Sequence, residues 1–595
     1  MLNGVLIAQH EAAIWYFGDH AGLDFNSGEP VALTDSRMNA EAGCAVISDK
    51  TGQFQFYTDG KKVWNKKRQV MPNGLNLKGS QMLNQNTLIV PFPGSGDIYY
   101  LFTVNADYDT IGMNYSIVNM SMDNGLGDVI LKNRKLLEGV VEKLTGARHC
   151  NGRDIWIIAH DRFDGYYSYL LNADSLNKTP VISRTGNNVR ADIGYMKISP
   201  ASDRIAMPVN SSVALVELCR FENRTGKVFD PVRIYACDSV VYAFGIEFSP
   251  DGNLLYISTG GKQYKLWQYD ILQETEEEIN NSAELIATGN NFALQLGLDE
   301  KLYIAKENSD RLNVINAPDK KAPDCDYGKN EVDLKNGMSS KGFPNFLPYY
   351  FYHPRIPVKG LCLGDTTFFS FPQYLNSDSL TWDFGDGSSP LTTQHTGKTG
   401  HLYHNASTYP VKLLVHHCGT SDTITQTVNI KNPPVVSLGN DTTICGTCSL
   451  TLDGGKGMDD WLWQDGSRSQ YYEVQKTGIY FVTVRKNGCM ASDTIRITKG
   501  PARVYMPNAF TPNGDGINDF FGPVIAEPPE IYHLIIFNRS GKVIFESYNT
   551  NTGWDGYFSG KPAPAGVYSW KMIYKLSINN DTESVKKTGT VLLIR

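Results

Sequence analysis

The sequence predicts an all-β chain of several domains, and three observations support this prediction. Residues that favour strands and tight turns are abundant, with 32 Tyr, 26 Phe and 55 Gly. Apolar strand centres recur through roughly the first 350 residues at intervals of about 40 to 56 residues. The 595 residues are too many for one hydrophobic core, so the length predicts about three to five domains.

The repeat is the clearest signal for the N-terminal region. Its strand centres are Trp15, Phe56, Tyr100, Trp156, Ala206, Tyr256 and Tyr303. In the later units each centre follows a strand and a turn, as in Phe248-Ser-Pro-Asp-Gly-Asn-Leu-Leu-Tyr256. Repetition at this interval predicts a β-propeller of about seven blades over residues 12–350, with six or eight blades also open. An irregular pair of β-sandwiches, the alternative, would not repeat so regularly.

Charge and hydropathy exclude several functional classes. The formal net charge is −7 and no basic run is present, which argues against binding to nucleic acid. No stretch approaches 18 apolar residues, so no transmembrane helix is expected. The short apolar run in Met1–Gln9 lacks a basic flank, and we interpret residues 1–11 as the remnant of a signal peptide with a start codon upstream.

A change of pattern follows the repeat. Prolines around residues 343–357 indicate a domain exit and a stiff linker. Residues 358–432 then contain the motif Trp382-Asp-Phe-Gly-Asp-Gly387, the segment His401-Leu-Tyr403 and the alternating strand Tyr409–Val415. This unit resembles the PKD domain, an immunoglobulin-like sandwich. The resemblance places Asp383 and Asp386 in a turn between strands, so we do not interpret them as an acid/base pair.

A second immunoglobulin-like domain is predicted over residues 433–500. It begins after Pro433-Pro434 and contains the alternating strand Gly478–Val484. The ten cysteines of the chain suggest an oxidising compartment.

Disulfides are predicted within each of these two units. Cys362 and Cys418 lie at opposite ends of the first unit, and a bridge between them is expected. Cys445 and Cys489 are placed to bridge the second unit, which leaves Cys448 unpaired. We do not interpret Cys445-Gly-Thr-Cys448 as a redox or zinc motif, because it lacks a βαβ context and a second ligand pair.

The last segment, residues 501–595, carries the most specific motifs. They are Val504-Tyr-Met-Pro-Asn-Ala-Phe-Thr-Pro-Asn-Gly-Asp-Gly-Ile-Asn-Asp519, Tyr532–Phe545, Gly553-Trp-Asp-Gly556, Pro564–Trp570 and Thr588–Arg595. In this order they closely resemble the gliding-motility-associated C-terminal domain of Bacteroidetes, the type B sorting signal of the type IX secretion system. The resemblance implies export through the outer-membrane translocon, which would recognise this domain. It also implies a secreted or cell-surface location.

The loop before Phe520 is a candidate calcium site. Asn513, Asp515, Asn518 and Asp519 supply oxygen-bearing side chains in a Gly-rich segment, and Ca²⁺ prefers six to eight oxygen ligands. The spacing differs from that of an EF-hand, and Asx and Gly residues also form tight turns without a metal. Both interpretations are kept open, and no other cofactor is expected.

Histidines give two weaker candidates. His401 and His404 fall in a predicted strand, with side chains on opposite faces and exposed, so they are not expected to share a metal. His149, His160 and Asp161 flank the strand Asp154–Ile158, so the two histidines are expected at opposite ends of it. No nucleophile or phosphate-binding motif is present, and no catalytic residue is assigned.

The predicted function is a non-enzymatic binding or adhesion protein of the cell surface, whose propeller binds an unknown glycan or protein and is carried on two sandwich spacers. The alternative is a secreted enzyme that degrades polysaccharide or peptide in the propeller channel. A purely architectural role in a gliding or adhesion layer is a third possibility. Carboxylates converging on the channel would favour the enzyme.

Overall fold

The structure is a computed structural model. It describes residues 4–5, 9–80, 83–105, 112–189, 193–209, 215–235, 242–261, 263–371, 377–394, 397–444, 449–500, 504–525, 529–578 and 581–595. The chain divides into two compact units. One comprises residues 1–359, 368–401 and 409–428, and the other residues 360–367, 402–408 and 429–595.

The N-terminal region folds into seven small sheets, which confirms the predicted propeller. A short strand, β1 (Gly4–Val5), comes before them. Blade one contains β2 (Ile14–Phe17), β3 (Ala21–Asp24) and β4 (Val31–Leu33). Blade two contains β5 (Ala45–Ser48), β6 (Phe54–Thr58), β7 (Lys62–Trp64) and β8 (Val70–Leu75). Blade three contains β9 (Thr87–Pro91), β10 (Ile98–Val104), β11 (Gly112–Asn119) and β12 (Asp128–Glu138).

The remaining four blades each have four strands. Blade four contains β13 (Val140–Arg148), β14 (Ile155–Asp161), β15 (Gly165–Leu171) and β16 (Val181–Arg184). Blade five contains β17 (Lys197–Ile198), β18 (Arg204–Pro208), β19 (Leu215–Glu222) and β20 (Lys227–Tyr235). Blade six contains β21 (Tyr242–Phe248), β22 (Leu254–Gly260), β23 (Lys265–Asp270) and β24 (Glu284–Thr288). Blade seven contains β25 (Leu294–Leu296), β26 (Leu302–Ile304), β27 (Arg311–Ile315) and β28 (Tyr327–Asp333). Among the described residues there is one α-helix, α1 (Glu276–Asn281), between β23 and β24.

Burial explains the sequence repeat. In every four-stranded blade the first strand is almost wholly buried and the fourth is largely exposed, as β13 and β16 illustrate. The first strands therefore line the axis and the fourth strands form the rim. The apolar centres found in the sequence lie in β2, β6, β10, β14, β18, β22 and β26. Outside blade one these are the second strands, which are covered on both sides.

The ring closes through the segment that follows blade seven. Met338 and Asp19 exchange two backbone hydrogen bonds of 2.9 Å. The Trp15 ring packs against Phe343 and Phe346 of this segment and against Tyr303 of β26, with centroids 5.5 to 5.9 Å apart. Both ends of the propeller thus contribute to blade one, which joins the first and last repeats without an open sheet edge.

The first sandwich follows a 3₁₀ turn at Pro348–Phe351. Its strands are β29 (Val358–Lys359), β30 (Thr367–Ser370), β31 (Ser379–Asp383), β32 (Leu391–Thr393), β33 (Lys398–His401), β34 (Thr408–His417) and β35 (Thr420–Asn429). They form the sheets β1-β35-β34-β31-β32 and β29-β30-β33. Trp382, on β31, is fully buried between them.

The second sandwich contains β36 (Thr442–Ile444), β37 (Leu450–Asp453), β38 (Asp460–Trp463), β39 (Tyr471–Val474), β40 (Gly478–Lys486) and β41 (Cys489–Lys499). The sheets are β36-β41-β40-β38 and β37-β39, and Trp463 and Val482 lie in the core. This arrangement confirms the prediction of a second immunoglobulin-like domain.

The C-terminal domain is a third sandwich. It contains β42 (Val504–Tyr505), β43 (Ala509–Phe510), β44 (Val524–Ile525), β45 (Ile531–Phe537), β46 (Val543–Ser547), β47 (Tyr557–Phe558), β48 (Lys561–Pro562), β49 (Gly566–Ile578) and β50 (Asp581–Leu593). The main sheet is β43-β50-β49-β45-β46, and the short pairs β42-β44 and β47-β48 accompany it. Phe521, Trp554 and Trp570 form the centre of its core. In the described part of the chain, no helix is long and apolar enough to cross a membrane.

Candidate functional site

The propeller axis contains a buried ion pair. Lys197 of β17 lies 2.8 Å from Glu247 of β21 and 2.7 Å from the side-chain oxygen of Gln295 of β25. Lys197 and Glu247 are almost completely buried. Burial raises the pKa of Glu247, and the Lys197 ammonium group opposes that shift. Three blades are thus tied together at the axis by one polar cluster.

A second carboxylate at the axis is also held by protein groups. The two oxygens of Glu142, on β13, accept hydrogen bonds of 2.8 and 2.7 Å from the backbone N–H and side-chain amide of Asn84. Nearby, Gln85 exchanges hydrogen bonds of 2.8 and 2.6 Å with the backbone of Met196. These contacts join blades three, four and five, so the described axial carboxylates have structural partners.

The closing segment contributes another axial contact. The side-chain amide of Asn345 donates to the carbonyls of Thr87 and Leu144 at 3.1 and 2.9 Å, and its backbone N–H donates to that of Cys44 at 2.8 Å. Asn345 is 4% exposed. The chain therefore passes beside the inner strands of blades two to four.

The structure separates the candidate histidines of blade four. His149 lies in the turn before β14, whereas His160 is near the far end of that strand, as the sequence predicted. The Nδ1 of His160 lies 2.6 Å from the Asp161 carbonyl, and its Nε2 has no partner among the described residues. Burial lowers the pKa of His160 to about 4. This ring is a neutral core histidine, packed edge-on against Tyr166.

Asp161 has a structural role in the same blade. Its carboxylate accepts from the backbone N–H groups of Phe163 and Gly165 and from Arg184 at 2.6 Å. Burial opposes ionisation, but the Gly165 N–H and the Arg184 guanidinium together hold the pKa of Asp161 below its usual range. His149, His160 and Asp161 do not converge on one open site.

The first sandwich is tied directly to the turns of the propeller. Cys150, between β13 and β14, forms a disulfide with Cys418, between β34 and β35. Beside it, His417 Nδ1 lies 2.5 Å from the Cys150 carbonyl and its Nε2 lies 3.0 Å from Asp422. An ion pair of 2.7 Å joins Arg224 to Asp378 across the same junction.

The predicted disulfide pairs are wrong. Cys418 pairs with Cys150, and Cys362 pairs with Cys489 across a sequence separation of 127 residues. Each bridge therefore connects two domains, whereas the sequence-based pairing assumed that bridges stay within one sandwich. Cys445 lies outside the described residues, as does Cys448 of the same Cys-x-x-Cys.

A groove of about 710 Å³ opens beside this junction. The propeller contributes Asp251, Asn253, Glu300 and Asp319, and the other wall includes residues 425–427 of β35. Asp319 accepts the backbone N–H of Asp251 at 3.0 Å. Burial, and then the Asp251 carboxylate, raise the pKa of Asp319 to about 7. This carboxyl group can exchange a proton near neutral pH.

The turn that follows β31 behaves as predicted for its aspartates but not for His401. Asp383 accepts the N–H of Gly385, and Asp386 accepts from Ser388, as in Asx turns. His401 is not exposed as expected: it lies 2.7 Å from Asp386 and stacks on the Phe384 ring at 4.0 Å. Despite burial, hydrogen bonds from Ser388 and His401 lower the pKa of Asp386 to about 2. His404 is exposed.

The calcium candidates form a loop stabilised by its own hydrogen bonds. Asp519 accepts the N–H groups of Asn513, Gly514 and Gly516 at 2.9, 2.6 and 2.8 Å. Asp515 accepts from the Asn513 amide and the Ile517 N–H, and these bonds lower its pKa. Asn518 adopts a positive φ of 57°. Within the described ranges no cluster of three or more His, Cys, Asp or Glu could hold a metal, and calcium binding stays a prediction.

Family models match two parts of the chain. Residues 504–593 match the CHU_C type IX secretion signal domain, and residues 361–432 match the PKD domain. The chain carries a type IX secretion signal. This signal domain indicates export to the cell surface or the surroundings and implies recognition by the type IX secretion system. Both resemblances found in the sequence are therefore confirmed. No curated protein matches the chain.

Several solved structures resemble part of this chain. A candidate 6-phosphogluconolactonase from Bacteroides uniformis is 13% identical, with 55% of this chain and 97% of that chain covered and a TM-score of 0.37. The periplasmic gluconolactonase of Pseudomonas aeruginosa is 13% identical, with coverage of 56% and 96% and a TM-score of 0.27. The Dos1 propeller is 12% identical, with coverage of 48% and 85% and a TM-score of 0.25.

Sequence reasoning missed Cys150 and the pair Asp251 and Asp319. Cys150 sits in a Gly-containing turn with no partner nearby in sequence, so nothing local marks it. Asp251 belongs to the Ser-Pro-Asp-Gly turn of the repeat. That repeat position predicts a turn at the propeller surface, but its proximity to Asp319 depends on the packing of adjacent blades.

Proposed function

We propose that the protein is a non-enzymatic binding protein of the cell surface, delivered by its type IX secretion signal. The binding head is the propeller together with the first sandwich. Its ligand is a glycan or a protein, and the biological setting is adhesion or gliding. The observation that carries the proposal is that the described carboxylates at the propeller axis are engaged by Lys197 and Asn84.

The axial contacts support binding rather than catalysis. A hydrolase in the channel would need a carboxylate that reaches a substrate and exchanges a proton. Glu142 and Glu247 are 5% and 2% exposed, and each is bonded to a neighbouring blade. Asn345, in the segment that follows blade seven, adds hydrogen bonds to blades three and four at the axis.

The junction supports a larger head than a propeller alone. The Cys150–Cys418 bridge and the Arg224–Asp378 ion pair fix the first sandwich to the turns of blades four and five. The second sandwich is instead bridged to the first sandwich, through Cys362 and Cys489. We therefore assign the first sandwich to the head and keep the spacer role for the second sandwich.

A secreted enzyme is the second candidate, and Asp319 favours it. A carboxyl group with a pKa of about 7 beside Asp251, in a groove of about 710 Å³, has the properties of a general acid. This site lies at the propeller turns rather than in the channel where the sequence-based alternative placed it.

Purified full-length protein should be applied to glycan and protein arrays and, in parallel, incubated with polysaccharide and peptide substrates. The proposal predicts saturable binding and no increase in reducing ends or free amines. Asp319→Asn is the matched variant for the second candidate. Product formation that Asp319→Asn abolishes would establish the enzyme, and silence on every array position would overturn the binding function.

A further inference from the structure

The C-terminal domain exposes large apolar side chains in one short stretch. Ile517 and Phe520 are 67% and 65% exposed, and Val524 and Tyr505 are both 63% exposed. Val524 pairs directly with Tyr505 across β42 and β44. Val524 lies four positions after Phe520 in the sequence, which limits their Cα separation to about 14 Å. We call Ile517, Phe520 and Val524, together with the Tyr505 that pairs with Val524, the 517–524 patch.

Phe520 lies next to a residue that is anchored in the core of the domain. Phe521 is completely buried, and its backbone exchanges hydrogen bonds of 2.9 and 2.8 Å with that of Trp554. Phe521 is therefore anchored in the core, while the adjacent Phe520 side chain stays 65% exposed.

The preceding loop holds the backbone of Ile517. Asp519 accepts three backbone N–H groups of the loop, and Asp515 accepts the N–H of Ile517 itself at 2.8 Å. A loop constrained by so many internal bonds loses little conformational freedom when it binds a partner. Rigid, exposed aromatic and aliphatic side chains are typical of the centre of a protein–protein interface.

We propose that the 517–524 patch is the surface through which the secretion signal domain docks on an apolar face of the translocon component that recognises it. Two observations select this occupant. The patch lies wholly within the match to the type IX secretion signal domain, whose role requires a partner. In the described residues of the full chain the patch also stays uncovered. This inference rests on the export signal and is independent of the proposed binding head.

The test replaces the patch in the chromosomal gene of the native bacterium. Ile517→Ser with Phe520→Ser is the patch variant, and Val567→Ser with Leu592→Ser is the matched control. Val567 and Leu592 face each other on the main sheet and are 48% and 41% exposed. Export is the fraction of full-length protein at the cell surface and in the medium, compared with the periplasm.

The expected result is that export of the patch variant falls about tenfold or more, as for loss of an interface hot spot. The control should be exported as the wild type is. Normal export of the patch variant, or equal retention of both variants, would overturn the proposal.

Purified proteins separate docking from folding. The thermal midpoint of the patch variant should stay within about 2 °C of the wild type, as expected for exposed positions. A larger fall would show that the patch packs within the chain and would overturn the proposal. A wild-type dimer that the patch variant converts to monomer in light scattering would assign the patch to a second copy instead. If the double variant does not fold, the single variant Phe520→Gln tests the proposal by the same export measurement.

Discussion

Cys150 and Cys418 form a disulfide between a turn of blade four and the β34–β35 hairpin of the first sandwich, 268 residues apart in the chain. The Cα atoms lie 5.7 Å apart. This bridge closes a loop that includes three propeller blades and most of the sandwich. The bond therefore restricts the unfolded chain of both domains while it is intact.

Replacement of both cysteines, Cys150→Ser with Cys418→Ser, should lower the free energy of unfolding by about 5 kcal/mol because the unfolded chain regains loop entropy. Urea denaturation of the wild type and the variant measures the difference. Peptide mapping without reductant should link the Cys150 peptide to the Cys418 peptide. A Cys362–Cys418 link would instead restore the pairing predicted from the sequence.

Removal of one partner of the axial ion pair should be costly. Lys197→Met leaves Glu247 buried without a counter-charge, and we expect a loss of about 3–5 kcal/mol. The double variant Lys197→Met with Glu247→Leu should recover most of it. Lys335→Met is the control, because the ion pair between Lys335 and Asp333 is exposed and should contribute less than about 1 kcal/mol to the free energy of unfolding. Equal effects of the two single variants in urea denaturation would contradict a buried ion pair.

The stability of the protein should respond to acid through His160. Its folded pKa of about 4 is below the unfolded value near 6.5, so the unfolded state binds the proton first. Stability is fully present above about pH 6.5 and is lost as the pH falls to about 4, by roughly 3 kcal/mol. His160→Gln should remove this contribution, which is measured as the difference in stability between the wild type and the variant across this pH range in urea denaturation. An unchanged slope in that variant would rule out His160 as its source.

Titration of Asp319 should change the stability of the protein with pH in the direction opposite to that of His160. Its folded pKa of about 7 is above the unfolded value near 3.9, so the folded state binds the proton first. Its contribution is fully present below about pH 4 and is lost as the pH rises to about 7, by about 2 kcal/mol once partial exposure is considered. Asp319→Asn should remove it. Because the His160 and Asp319 windows overlap, the wild type should show a flatter profile than either variant.

The loop of Asp519 gives a test of calcium binding. Asp519→Ala removes the acceptor of three backbone N–H groups and should lower the thermal midpoint even in a chelator. A calcium site would add a rise in the wild-type midpoint with Ca²⁺ concentration, which Asp515→Asn should abolish. Differential scanning calorimetry with and without Ca²⁺ distinguishes the two contributions.

The sequence predicted more about architecture than about sites. Repeat centres such as Trp156 and Tyr256 revealed the blades because each blade must bury its second strand in the same way. The alternation in Gly478–Val484 revealed a sandwich strand for an equally local reason. The partners of Glu247, Asp319 and Cys150 come from other blades or domains, and no local pattern records them.

The sequence by itself determined the export route, since the motifs from Val504 to Arg595 are contiguous and specific, and it determined the propeller through the period of its strand centres. The tertiary structure decided which groups meet. It placed Lys197 against Glu247, raised the pKa of Asp319 through Asp251, and joined Cys150 to Cys418. Periodicity is a property of neighbouring residues, whereas burial, charge pairing and cross-linking depend on distances that exist only after the blades close and the first sandwich docks.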